Sequence, residues 1–110
     1  MIIYRDSILI GDRIELADSF GGKLVGLMGK KNLSQGEGLL LMGCPAIHCL
    51  FMKIPIDAVY LSKEMKVVGM ETLQPWRIGR RFVHAAHVLE LPEGMGEKAI
   101  QVGDRLTIIG

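Results

Sequence analysis

The feature that most constrains the fold is the shortness of the apolar runs. Valine, isoleucine and leucine occur in runs of a few residues, and glycine, proline and aspartate interrupt these runs along the whole chain. Short runs with such boundaries are typical of β-strands joined by turns. Roughly seven to nine short strands and one or two short helices predict a mainly β fold, a compact jelly-roll-like sandwich or barrel.

The individual elements follow from local patterns. Gly11 and Asp12 are a turn signal of the hairpin type within residues 7–16. A short amphipathic helix is expected over residues 19–29, and a helical turn from Pro92 to Lys98. A turn at residues 62–65 is expected between two strands of a hairpin. The predicted strands are residues 2–5, 7–16, 39–42, 46–53, 57–61, 66–72, 84 or 86 to 91, and 105–109.

Composition limits the class of protein. The chain has 110 residues, of which 49% are hydrophobic and 5% aromatic, so we expect a single domain over residues 1–110 with an aliphatic core. A net charge of +1 gives no electrostatic basis for binding nucleic acid. The first residues do not resemble a secretory signal, and every apolar run is far shorter than the roughly 20 residues that span a bilayer. We therefore expect a cytoplasmic protein that does not bind membranes.

The cysteines and histidines do not form a recognisable metal motif. Cys44 and Cys49 are the only cysteines, and we expect both thiols to be reduced. The spacings from Cys44 to His48 and from His84 to His87 match no strong zinc pattern. We therefore predict no metal and no cofactor.

The segment of residues 46–52 (AIHCLFM) places a histidine in apolar surroundings. At the period of a strand, Cys49 and Phe51 lie on one face and His48 lies on the other. Because both faces are largely apolar, a central strand covered on both sides is expected. Two interpretations of His48 stay open: a core histidine with one hydrogen bond, or a histidine at a site where burial shifts its pKa.

Lys53 and Asp57 follow His48 closely. Pro55 lies between them and cannot donate a hydrogen bond to a central sheet ladder, so the chain is expected to turn or bulge there. Such a turn would bring Lys53, Asp57 and His48 together. One interpretation is a structural ion pair at a strand end. The other is a polar patch at the mouth of a cleft, in which Lys53 binds an anionic group and Asp57 orients His48 or binds a ligand's cation.

A basic loop is expected at residues 74–81, where three arginines accompany the only tryptophan. Trp76 and Arg77 are candidate contacts for an anion or a protein partner, with Trp76 as an anchor. The alternative is a solvated connection with Trp76 packed on the edge of the sheet. The candidate ligand-binding residues are therefore His48, Lys53, Asp57, Trp76 and Arg77.

An ordered set of motifs resembles a known family. The motifs are residues 26–30 (GLMGK), 36–40 (GEGLL), 44–48 (CPAIH), 51–57 (FMKIPID), 67–68 (VV), 75–77 (PWR), 88–94 (VLELPEG) and 102–104 (VGD). Their order and spacing, from residue 17 to residue 108, resemble domain of unknown function family 192, in its short branch without a signal sequence. The resemblance implies a compact, mainly β, jelly-roll-like sandwich or barrel with a short helix, and it implies no activity.

Three functional hypotheses follow. The first is a binding or accessory domain for a small molecule or protein that uses the polar patch around His48, Lys53 and Asp57. The second is a small hydrolase-type enzyme with His48 as general base and Asp57 orienting it. The third is an interaction module that assembles through an apolar surface, which the positive mean hydropathy of +0.31 permits.

Overall fold

The computed structural model describes residues 1–17, 33–43, 54–75, 77 and 79–110. These residues form eight strands and one short helix, which confirms the prediction of a mainly β fold. The strands are β1 (Ile2–Arg5), β2 (Ile8–Gly11), β3 (Arg13–Ala17), β4 (Glu37–Leu41), β5 (Ile56–Leu61), β6 (Val67–Leu73), β7 (His87–Pro92) and β8 (Thr107–Ile109), and the helix is α1 (Met95–Ala99).

The described strands form two open sheets in a sandwich-like arrangement, and they do not close into a barrel. A three-stranded sheet has the order β2-β1-β8, and a five-stranded sheet has the order β3-β4-β7-β5-β6. β3 is parallel to β4, whereas the other pairs are antiparallel. β7 and β5 therefore lie at the centre of the larger sheet, where both of their edges are hydrogen-bonded.

The hairpin of β5 and β6 confirms the predicted turn at residues 62–65. The Ser62 Oγ accepts hydrogen bonds from the backbone N–H groups of Glu64 and Lys66, at 3.3 and 3.2 Å. Such a hydroxyl contact to the following backbone is a common way to fix a tight turn. The register of this hairpin places Asp57 opposite Thr72, which positions the candidate site described below.

Every residue of β5 is buried, so this strand is covered on both faces. Alternate residues of a strand point to opposite faces, which gives the five-stranded sheet two apolar surfaces. We call the first the helix-side face; it packs against the three-stranded sheet and α1 and carries Leu40, Val59, Leu61, Leu89 and Leu91. The second, the far face, carries Leu39, Leu41, Ala58, Tyr60 and Val88.

The hairpin predicted at Gly11 and Asp12 is wrong, because the two strands it joins do not pair with each other. Gly11 and Asp12 do turn the chain, but β2 and β3 are not hydrogen-bonded to each other and belong to different sheets. The backbone N–H groups of Asp12 and Arg13 both donate to the Gly36 carbonyl oxygen, at 3.1 and 2.8 Å. These bonds bring β3 alongside β4, so the turn transfers the chain from the small sheet to the edge of the large one.

Two predicted elements, the helix at residues 19–29 and the strand at residues 46–53, lie outside the described residues. The predicted helical turn after Pro92 is confirmed as α1. Within the described part of the chain, no helix is long and apolar enough to cross a membrane.

Candidate functional site

The structure describes two of the five predicted site residues, Asp57 and Arg77. Asp57 is buried in β5 and Arg77 is exposed after β6. His48, Lys53 and Trp76 lie outside the described residues. The assembly of all five residues into one polar patch therefore stays a prediction, as does the orientation of His48 by Asp57.

Asp57 joins three elements through its carboxyl group. Thr72 Oγ1, on β6, donates a hydrogen bond to Oδ1 at 2.7 Å, and the backbone N–H of Gly96, in α1, donates to Oδ2 at 2.9 Å. The side chain is only 4% exposed. Each oxygen that leaves water thus accepts a hydrogen bond in return, which offsets the cost of burying a polar group.

The glycine in α1 makes this contact possible. A Cβ atom at Gly96 would lie 3.1 Å from Asp57 Oδ2, which is closer than most side-chain contacts allow. Gly94, just before the helix, has a φ of 89°, a left-handed conformation that glycine adopts easily. The sequence Gly-Met-Gly therefore lets the backbone turn tightly and approach the Asp57 carboxyl group.

A recess of about 190 Å³ lies beside this contact. The residues that line it are Asp57, Met70, Glu71, Thr72 and Glu97. Two of these residues, Asp57 and Glu97, are acids on the helix-side face, whereas Glu71 has its carboxyl group on the far face. None of the lining residues is basic, so the recess favours positive charge. Glu97 is exposed at its rim, whereas Asp57 is held in place by Thr72 and Gly96.

A second buried acid, Glu90, lies on the far face of the same sheet. Glu90 is 4% exposed, and its Oε2 has no hydrogen-bond partner in the part of the chain that the structure describes. It pairs with Leu39 on β4 and with Ala58 on β5, so its carboxyl group has apolar neighbours on both sides. Burial raises the pKa of Glu90 to about 8, because the charged form loses its hydration.

On the far face, Glu90, Ala58 and Glu71 are paired residues of β7, β5 and β6, so they lie side by side in one row across the sheet. Two strand spacings separate Glu90 from Glu71, which is about 10 Å between Cα atoms. Unlike Glu90, Glu71 has donors: the Tyr60 hydroxyl at 2.6 Å and the Arg80 backbone N–H at 2.7 Å, both to Oε2. Ala58 therefore lies between one acid with donors and one acid without.

Glu90 was not among the site residues predicted from the sequence. The available signal was a lone acid within the run Val88–Leu91 (VLEL), in a strand that is apolar on both faces. The same argument of two-sided burial drew attention to His48, but Glu90 was considered only as part of a family motif. Glu90 is in a central strand because β4 and β5 flank β7 on its two edges.

The chemistry available at these positions is acid–base and ionic. Among the described residues, no three His, Cys, Asp or Glu side chains converge in a way that would hold a metal ion. Asp57 retains free lone pairs on both oxygens after its two hydrogen bonds, so it can accept another donor, from a ligand or from a side chain.

Comparison with known proteins gives the same fold and a family of unknown function. The sequence profile of a family described as "Uncharacterized ACR, COG1430" (DUF192) matches residues 5–108. A UPF0127 protein of Pyrococcus horikoshii is 33% identical over 97 residues, and one of Pyrococcus furiosus is 32% identical over 101 residues; each match covers 84% of both chains. A solved structure of a protein of unknown function from Novosphingobium aromaticivorans matches with a TM-score of 0.81 at 21% identity, over 97% of this chain and 82% of that one.

Proposed function

The chain belongs to the DUF192 family, as its motifs led us to expect, and since this is a family of unknown function we propose an activity from the chain's own geometry. We propose that it is a small-molecule-binding domain whose recess beside Asp57 binds a cationic group of the ligand. The observation that carries the proposal is a recess that is lined by the acids Asp57 and Glu97 and by no basic residue.

The size of the recess indicates what it binds. Its volume is about 190 Å³. Sites that enclose a whole small molecule are larger, about 300–1,000 Å³. The recess therefore suits one ammonium or guanidinium group with a short carbon chain, and the remainder of the ligand would lie outside it.

The predicted patch supplies contacts for that remainder. Lys53 precedes Asp57 by four residues and Arg77 follows Thr72 by five, so both are close in sequence to residues that line the recess. In the proposal their positive charges bind an anionic part of the ligand, while His48 and Trp76 contact its body. The proposed location of this activity is the cytoplasm.

A matched pair of probes tests the recess. We expect n-butylammonium to shift the NMR amide signals of Glu71, Thr72 and Gly96, and we expect n-butyrate, with equal carbon number and opposite charge, to leave them unchanged. The shifts should weaken with added salt because Glu97 is exposed. Equal responses to both probes, or no response at tens of millimolar n-butylammonium, would refute the proposal.

A pair of variants locates the binding. Glu97→Gln removes one carboxylate from the rim and should weaken n-butylammonium binding several-fold. Glu64→Gln, also a change at an exposed residue, lies in the turn between β5 and β6 and should leave the affinity unchanged. If both variants weaken binding equally, the effect is one of overall charge and the recess is not the site.

Assembly through an apolar surface is a second candidate, because one sheet face exposes apolar side chains. Leu9 and Ile109, on the edge strands of the three-stranded sheet, are 48% and 53% exposed. They flank Ile2 and Tyr4, with which they pair across the sheet. Light scattering at increasing concentration tests this candidate: a dimer that Leu9→Lys converts to a monomer supports it, and a monomer throughout excludes it.

A further inference from the structure

Glu90 has a role that the proposed recess does not use. Its carboxyl group lies at the centre of the five-stranded sheet, on the face opposite to Asp57. A buried polar atom without a hydrogen-bond partner destabilises the folded state, and such atoms in native proteins call for an explanation. A neutral carboxyl group is far cheaper to bury than a charged one, so the proton state of Glu90 determines how well this face can stay covered.

The segment of residues 79–86 packs on the same face. Phe82 lies against Tyr60, with 4.5 Å between the ring centroids. The Phe82 ring also occupies the space that a Cβ atom on Gly69 would need. The Arg80 N–H binds Glu71, in the row of Glu90, and the Ala86 N–H binds the Leu61 carbonyl oxygen at 2.7 Å. Phe82 and Ala85 also pack against the cluster that contains Leu39, Ala58 and Val88. The segment therefore lies over Tyr60 and Gly69 and contacts Glu71, which is in the same row as Ala58 and Glu90.

The charged groups near Glu90 offer it no cation among the described residues. On its own face, β4 contributes Glu37, β5 contributes Tyr60 and β6 contributes Glu71, whereas Val88 and Pro92 are its neighbours along β7. Segment 79–86 contributes Arg80, Arg81 and His84, whose side chains are exposed. Among these groups, an ionised Glu90 would face apolar side chains and further acids, so contact with water is what would stabilise its charge there.

We propose that protonated Glu90 keeps the far face closed, and that loss of this proton releases residues 79–86 from the sheet. The step is a simple acid dissociation, in which the proton passes to water and the carboxylate becomes hydrated as the segment lifts. The far face is then a surface whose exposure follows pH, independently of the recess beside Asp57.

Hydrogen exchange measured by NMR tests the proposal. When opening hydrates Glu90, the ratio of open to closed states rises about 10-fold per pH unit between the pKa of an exposed glutamate and that of the buried one. After correction for intrinsic exchange rates, protection of the Arg80, Ala85 and Ala86 amides should fall by that factor for each unit between about pH 5 and pH 8. Low concentrations of urea should not change it, because a local opening exposes little surface.

Two variants and one reference strand make the result decisive. Glu90→Gln cannot ionise and is similar in size, so it should fold and show protection that is constant with pH. Glu93→Gln, an exposed change in the same region, should retain the pH dependence of the wild type. The proposal is overturned if Glu90→Gln retains the slope, or if the segment's amides share the opening free energy and urea dependence of the β1 amides.

Discussion

Asp57 and Glu90 are equally buried acids in neighbouring strands, yet the two faces of the sheet treat them differently. Each is 4% exposed, and Ala58, the residue after Asp57, pairs directly with Glu90. On the helix-side face, Thr72 and Gly96 donate to both oxygens of Asp57. On the far face, one oxygen of Glu90 has no partner among the described residues.

The difference shows that burial alone does not define the role of a carboxyl group. Asp57 links β5, β6 and α1, so its hydrogen bonds contribute to stability at a fixed geometry. Glu90 links nothing that the structure describes, and its burial raises its pKa to about 8. We therefore expect substitutions on the two faces to have effects that differ in size and in pH dependence.

The largest expected effect is the pH dependence caused by Glu90. Its pKa is about 8 in the folded protein and near the ordinary value of 4.5 when unfolded, so the folded state holds one more proton between these values. The free energy of unfolding should thus be highest below about pH 4.5 and fall by about 1.4 kcal/mol per pH unit, or about 5 kcal/mol by pH 8. Urea unfolding of the wild type and Glu90→Gln at several pH values measures this difference, and parallel stability curves would contradict it.

Asp57→Ala should have the next largest effect. It removes the acceptor of the buried Gly96 N–H and of the Thr72 hydroxyl, and we expect a loss of about 3 kcal/mol in unfolding free energy. Thr72→Val removes only the exposed partner and should cost about 1 kcal/mol. Unlike the Glu90 effect, neither loss depends on the proton of Glu90, so both should persist in a Glu90→Gln background. A loss below 1 kcal/mol for Asp57→Ala would show that the contact is dispensable.

Two glycine substitutions compare how tightly each face is packed. Gly69→Ala places a methyl group within the space of the Phe82 ring on the far face and should cost about 2 kcal/mol through overpacking. Gly96→Ala meets Asp57 Oδ2 at 3.1 Å on the helix-side face, but it gains about 1 kcal/mol of helix propensity, so its net cost should be smaller. Thermal unfolding of both variants checks the order, and the reverse order would mean that Phe82 is free to move.

The smallest expected effect on stability is that of Glu97→Gln. The side chain is exposed in α1, and such changes usually alter the unfolding free energy by less than about 0.5 kcal/mol. The same variant should weaken n-butylammonium binding, so its affinity should fall while its unfolding free energy hardly changes. Chemical unfolding next to a binding titration provides the check, and a loss of stability above 1 kcal/mol would assign Glu97 to the fold instead.

The sequence predicted the fold class better than the arrangement of strands. Alternating and two-sided apolar patterns located β1, β5, β6 and β7 within a few residues, because these patterns are local. The pairing of β3 with β4 was not predictable, since it depends on a carbonyl group at Gly36, more than twenty residues after Asp12. A local turn pattern predicts that the chain turns, but it does not predict which strand the next strand pairs with.

The candidate site shows the same limit. Asp57 was predicted as a site residue because a turn at Pro55 would bring it close to His48 and Lys53. Its observed partners, Thr72 and Gly96, are 15 and 39 residues away. Glu90 carried a visible signal, an acid within an apolar strand. Its lack of a partner depends on β4 and β5 together, which no local pattern shows.

The pairing of β1 with β8 has a consequence for folding kinetics. Ile2 pairs with Ile109, so the small sheet joins strands from opposite ends of the sequence. Closing so long a loop costs entropy before any contact is gained, and folds rich in such contacts fold in milliseconds to seconds. We expect the β5–β6 hairpin to form early, because its turn is short, and the small sheet to form last, as the step that completes the core.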